Sequence, residues 1–395
     1  MPQGSRPAPV RIDAPAPAAP AGGARARAAR DGNGRPPVWM AEEPLERIVA
    51  RFDAWYRGEV ADRPPVTVLH VQRDGAPPLP PPKRHATPRE ARFDAAYRVE
   101  RFEQELAGRL FVGDTFPLFS PALGADEAAT LFGGELEFNE RSAWAVHNTA
   151  DIRDVLARTP DPDGNPYWAV IRRMTDLSAE RSAGRWITGI DVHDYVADTL
   201  AALRSPQGLC LDLMDDPEGV RLACDHVATF HAPLYDDLHG RIARHGLPTG
   251  FEGELSYGRT NRLGCDFLCM VSPAMAASCI YPALSREAEH LDRCYFHLDS
   301  AGALPHLDWI LDQPKIRGIQ WVYGANRGPA AKWVEVYRKI QSAGRAIELL
   351  PTSVEDALDT IRHLKPEGVW IKMWRLPEAG ARSLVEAAAK RSNWA

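Results

Sequence analysis

The segment CYFHLD sets an imidazole, His297, two positions before a carboxylate, Asp299. Side chains along an extended strand alternate between its two faces. Tyr295, His297 and Asp299 therefore share one face, and Cys294, Phe296 and Leu298 take the other. Such a pair serves either as two metal ligands or as an acid/base with its orienting partner. The plainer alternative is a hydrogen-bonded buried pair without chemistry. PTGFEGEL aligns Glu252 and Glu254 in the same way. Two carboxylates at one strand end raise each other's proton affinity or hold a cation; alternatively one is solvated and the other salt-bridged. Asp266 opens the apolar run DFLCMVS and is read as a pocket acid. Asp191 ends the strand-like WITGID and His193 follows it; together with Glu252 and Tyr257 they are candidate substrate contacts. VWIKMW puts Trp370, Lys372 and Trp374 on one face, where a lysine between indoles suits an anionic or aromatic ligand or simply snorkels. Trp321 and Tyr323 in GIQWVYG are candidate pocket walls, with packing as their plainer role. Cys265 and Cys269 stand four apart, about 13 Å on an extended chain, and are read as small core residues rather than zinc ligands.

These side chains converge only if the chain delivers the ends of several strands to one place. Short apolar runs begin at Val66, Phe111, Trp186, Pro248, Asp266, Cys294, Gly318, Ala346 and Val369, with amphipathic helical stretches between most of them. Glycine stops two of the helices, at Gly246 and Gly344. Strand–helix alternation of this kind implies parallel strands with crossover helices. A (β/α)8 TIM-type barrel with an N-terminal helical extension is the expected fold, and an open doubly wound sheet is second. Nine runs for eight strands leave one as an extra strand or insertion. In a barrel, chemistry gathers at the C-terminal strand ends, where His297 and Asp299 fall. No GxGxxG or GxxxxGK[ST] follows a strand, which argues against dinucleotide and P-loop chemistry.

Before the first run, Pro44 marks a helix start for Leu45, Ile48, Val49, Phe52 and Trp55. Thr87, Pro88 and Glu90 form a capping-box start for a helix expected to reach about Arg109. Residues 1–37 are a Pro/Ala/Arg/Gly mixture and are expected to be a disordered tail; residues 38–395 are expected to form one domain. The 395 residues carry 47 basic and 53 acidic side chains, a net charge of −6. That balance gives no general attraction to nucleic acid or anionic membrane, and no apolar run is long enough to span a bilayer. Six cysteines without a Cys-x-x-Cys are expected to be reduced thiols of a cytoplasmic protein.

Several stretches together resemble the uroporphyrinogen decarboxylase superfamily, and within it the corrinoid-associated methyltransferase-like branch (trimethylamine corrinoid protein 2-like). They are YWAVIRRM, GIDVHDYVADTLAALRSPQGLCLDLMDDPEGV, GCDFLCMVSPAM and, most specifically, YFHLDSAGALPHLDWILDQPKIRGIQWVYG. The resemblance implies a (β/α)8 barrel with its cleft at the strand C-termini, and methyl or related group transfer on a small polar substrate. A metal-independent decarboxylase or lyase using Asp266 as proton relay is the alternative, and a non-catalytic binding partner of a corrinoid protein is a third. The arginines that grip substrate carboxylates in uroporphyrinogen decarboxylases are replaced by glutamates in PPVWMAEEPLERI, so that reaction itself is not expected. Zinc methyltransferases of the superfamily carry His-x-Cys where this chain has His297-x-Asp299. The exchange leaves a harder site, open either to zinc held by His297, Asp299 and a third ligand such as Glu254, or to metal-free acid/base chemistry. Corrinoid enters only through a partner protein; the oligomeric state is left open, with a homodimer as what the resemblance offers.

Overall fold

The computed structural model describes residues 39–76, 78–191 and 196–395. The expected tail (1–37) and His193 lie outside the described residues. The strands are β1 (Val66–Gln72), β2 (Arg109–Leu110), β3 (Leu118–Phe119), β4 (Glu135–Phe138), β5 (Ala143–Val146), β6 (Ile187–Thr188), β7 (Thr260–Gly264), β8 (Arg293–Asp299), β9 (Ile316–Val322), β10 (Ala346–Leu349) and β11 (Val369–Arg375). Seven form the central sheet in the order β2-β1-β11-β10-β9-β8-β7. All its pairings are parallel except β1 with β2. β3 and β6 make a separate parallel pair, and β4 and β5 a hairpin. Helices fill most of the crossovers, the longest being Pro217–Ala243. This is a mixed α/β architecture with a parallel-rich sheet, consistent with a TIM-type fold. The strand pairings among the described residues do not join into one closed ring.

The sheet is strongly curled. β8 and β11 are separated by two strands, so in a flat sheet they would lie about 14 Å apart. Yet the rings of Tyr295 and Trp370 sit with centroids 6.2 Å apart. The residues on this inner face form layers. At the N-terminal strand ends lie Tyr295, Ala346 and Trp370, all buried. One layer higher come Arg262, Gln320, Glu348 and Lys372, all buried, with half-buried His297 beside them. The first layer is apolar because a helix caps it. That helix, α1 (Leu45–Tyr56), begins after Pro44 as the sequence indicates. It drives Phe52, Trp55 and Tyr56 against Tyr295 and Trp370 in edge-on contacts.

Local departures from the sequence reading have physical causes. The helix expected from Pro88 to about Arg109 is two helices, Pro88–Phe93 and Ala95–Leu106. Asp94 ends the first and caps the second through the Tyr97 N–H. DFLCMVS is not a strand: the strand is the preceding TNRLG, and Asp266–Met270 is a 3-10 turn. Cys269, on that turn, is exposed rather than a core residue. PTGFEGEL makes no ladder strand; Thr249 and Ser256 pair across it as an isolated bridge.

Candidate functional site

His297 and Asp299 end β8, and Asp266 follows the end of β7, whose Gly264 is in register with His297. The two strand ends thus bring three side chains to one point. One ligand atom from each of Asp266, His297 and Asp299 lies within 4.8 Å of the other two. His297 Nε2 stands 3.6 Å from an Asp266 carboxylate oxygen. The chain then turns sharply: Ser300, immediately after Asp299, takes a left-handed φ of 67° and opens a short helix. A non-glycine residue in that region costs energy and is often kept beside functional groups.

Asp266 is presented by Asp198, from the first turn of the Val196–Arg204 helix. Asp198 accepts hydrogen bonds from the backbone N–H groups of Asp266 (2.9 Å) and Phe267 (2.8 Å). A cavity of about 420 Å³ opens beside this turn, lined by Asp191, Asp198, Asp266, Phe267 and Cys269 among others. Asp191 accepts a hydrogen bond from the Ser120 hydroxyl at 2.9 Å.

Under the three ligand-type residues lies a chain of polar side chains. His297 Nδ1 meets the Gln320 carbonyl oxygen, which also accepts from Arg262 Nη1 at 2.9 Å. Gln320 Nε2 donates to Glu348 at 2.7 Å. Lys372 Nζ bridges Glu348 (2.8 Å) and Glu252 (2.9 Å), and Arg262 also holds Glu252 at 2.9 Å. Burial works against the Lys372 charge, but Glu252 and Glu348 outweigh it and hold its pKa above the ordinary lysine value.

Glu254 does not join the three. It lies fully buried beside Thr260, at the opposite end of β7 from Gly264, and four residues of strand span about 13 Å. Its carboxyl accepts from the Phe251 N–H (3.1 Å), Thr260 Oγ1 (3.1 Å) and Tyr56 OH (3.3 Å). Burial pushes its pKa up to about 8, so near neutral pH it holds a proton. Asp266 occupies the place expected of Glu254 as a third ligand.

The remaining expected contacts scatter. Lys372 lies on the inner face, buried, and its charge is matched by Glu252 and Glu348. Its partner Trp370 belongs to the buried aromatic layer, while Trp374 is 67% exposed and lies against His70, with ring centroids 5.0 Å apart. Trp321 and Tyr323 are not pocket walls. They have the opposite parity from Gln320 and pack on Trp333, outside the sheet. Tyr257 precedes β7 and so sits at the N-terminal ends of the strands, away from His297. Four residues that build the site were not singled out from the sequence: Asp198, Arg262, Gln320 and Glu348. The signal was a polar residue set inside an apolar strand, as in GIQWV and AIELL.

One imidazole nitrogen and two carboxylates suit a divalent ion of borderline to hard character, with coordination positions left for solvent or substrate. Tetrahedral zinc with bonds near 2.1 Å needs ligand atoms roughly 3.4 Å apart. The His297–Asp266 separation is already close to that, and Asp266 is the most exposed of the three. The residues present fit a metal ion.

No protein-family model and no curated protein sequence matches the chain. In solved structures its fold is similar to that of a methyltransferase from Methanosarcina mazei, with a TM-score of 0.55 and 13% identity over 87% of this chain and 98% of that one. The likeness is one of fold, a methyltransferase-like α/β architecture.

Proposed function

We propose that the chain is an enzyme of methyl or related group transfer, centred on a divalent metal ion held by Asp266, His297 and Asp299. The observation that carries this reading is the convergence of one imidazole and two carboxylates, from two adjacent strand ends, within 4.8 Å. The fold similarity to a methyltransferase supports the reaction class. The stretches that resemble the uroporphyrinogen decarboxylase superfamily support its corrinoid-associated branch, in which a corrinoid protein would be the partner. A metal ion here would supply Lewis-acid charge to a substrate heteroatom. His297 and Asp299 would hold the ion at the end of β8. Asp266 rides on a turn anchored by Asp198, beside the 420 Å³ cavity where substrate would lie.

The test is metal content. Purified protein incubated with zinc and desalted is expected to retain one equivalent by elemental analysis. His297→Ala and Asp299→Ala are expected to lose it while keeping the wild-type circular dichroism spectrum. Retention of a full equivalent by the folded His297→Ala variant overturns the reading. Zinc binding to Glu254→Gln should be unchanged, because that carboxyl lies about four strand residues below the site.

A further inference from the structure

Gln320 is 2% exposed and stands between two groups that each have only one hydrogen-bonding sense. Arg262 is a donor and cannot accept; the Glu348 carboxylate accepts and cannot donate. Lys372 Nζ stands 2.8 Å from the same Glu348 carboxylate, which thus accepts from both neighbours. The amide has one orientation that satisfies both neighbours: carbonyl oxygen toward Arg262 Nη1, NH2 toward Glu348. The opposite orientation sets NH2 against guanidinium and carbonyl against carboxylate, and loses two buried hydrogen bonds. The same carbonyl oxygen faces His297 Nδ1 at hydrogen-bonding distance. An oxygen can only accept, so the nitrogen facing it must carry the proton.

We infer that Gln320 is a positioning residue that holds neutral His297 as the Nδ1–H tautomer, with the Nε2 lone pair turned to the strand-end site. Neutral imidazole in water favours the other tautomer, with the proton on Nε2, so the network works against the intrinsic preference. Which ring nitrogen is protonated or metallated is set by the hydrogen bond the other one makes. The relay runs Lys372 to Glu348 to Gln320 to His297, with Arg262 joining at the Gln320 oxygen. It passes through β11, β10, β9 and β8, four neighbouring strands, so the tautomer is written into the inner face of the sheet. Neutral His297 then offers Nε2 as a ligand or a base, not as a proton donor. The metal role of that lone pair rests on the proposed function; the tautomer itself does not.

The test uses the metal-free full-length protein labelled with 15N in histidine, at a pH above which the His297 ring shifts no longer move, so that the neutral ring is read. Ring-nitrogen shifts and two-bond couplings report which nitrogen carries hydrogen, and His297→Asn identifies the resonances. Wild type is expected to show hydrogen on Nδ1 and a lone pair on Nε2. Gln320→Leu, which removes the acceptor, is expected to shift the population to Nε2–H. Gln320→Glu, which keeps an oxygen there, is expected to retain the Nδ1 proton. A wild-type protein with hydrogen on Nε2 overturns the inference whether or not the variants fold, and so does a folded Gln320→Leu with unchanged shifts. Zinc titration is a separate readout: Gln320→Leu should bind on the order of 10–100-fold more weakly, with Gln320→Glu closer to wild type. Failure to bind zinc at all would remove the proposed function and leave the tautomer standing.

Discussion

Glu254 shows what burial does to a carboxyl when the charges around it are already matched. Lys372 and Arg262 are satisfied by Glu252 and Glu348, so Glu254 gains no cation of its own, and desolvation dominates. Its pKa rises from 4.5 to about 8 on folding. Between these values the folded chain binds a proton that the unfolded chain does not, so the group's contribution to stability is full below about pH 4.5 and is lost as pH rises through about 8. The slope is at most about 1.4 kcal/mol per pH unit within that window. Thermal unfolding of wild type should therefore lose stability from about pH 5 to pH 8 more steeply than Glu254→Gln, which keeps the shape and cannot ionise. Parallel profiles for the two proteins would show that Glu254 is not protonated in the folded state. The sequence made this glutamate look like a partner of Glu252 because a period of two was applied to PTGFEGEL. That segment is not regular strand: Glu252 and Gly253 both take left-handed φ values, 47° and 111°, and the alternation fails there.

At the level of elements, legibility followed hydrophobic pattern. VTVLHV, CYFHLD, GIQWVYG, AIELL and VWIKMW are apolar on both faces, or apolar with one or two interior polar residues, and each is a strand. TNRLG escaped notice because its inner-face residues are polar: Thr260 bonds to Glu254 and Arg262 to Gln320, and neither builds a hydrocarbon core. The apolar run after it, DFLCM, then looked like the strand. His297 and Asp299 were legible as a pair because β8 is regular; Asp266 was legible as an acid but not as their neighbour, since its place depends on a turn held by Asp198 from another helix. The seat of α1 is equally a matter of shape. A Cβ built on Gly318 would come within 2.8 Å of the Trp55 indole, whose Nε1 donates to the Ile347 carbonyl at 3.0 Å. Gly318→Ala must push that ring off its seat, and overpacking of this kind costs about 1–3 kcal/mol. Denaturant unfolding should show that loss with an unchanged m-value, whereas a variant as stable as wild type would mean that α1 packs loosely. Trp55→Ala should cost more, about 3–5 kcal/mol.

Across the whole molecule, the two ends of the sheet divide stability from chemistry. At the N-terminal ends, Asp114 is fully buried and accepts from Arg51 (2.6 Å), Arg63 (2.5 Å) and the Val66 N–H (2.8 Å). Arg51 in turn clamps Asp62 through two bonds of 2.6 and 2.7 Å, and that hydrogen bonding holds the Asp62 carboxyl far below its ordinary range. One carboxylate thus ties α1, the loop before β1 and the chain leading to β3. At the other ends stand Asp266, His297 and Asp299, of which Asp266 is exposed and the others half-buried. Removing a partner from a buried ion pair leaves an uncompensated charge and costs about 3–5 kcal/mol. Losing the half-buried His297 imidazole leaves no buried charge unpaired, and the Gln320 oxygen still accepts from Arg262. Asp114→Ala should therefore lower the unfolding midpoint strongly yet leave zinc stoichiometry and the His297 ring shifts at wild-type values in the fraction that remains folded. His297→Ala should do the reverse in the metal-free state, losing zinc with an unfolding free energy within about 1 kcal/mol of wild type. If His297→Ala proves as damaging as Asp114→Ala without any metal present, the imidazole is a structural member of the sheet. The polarity expected of a TIM-type architecture, with function at one end and stability at the other, would then not hold for this chain.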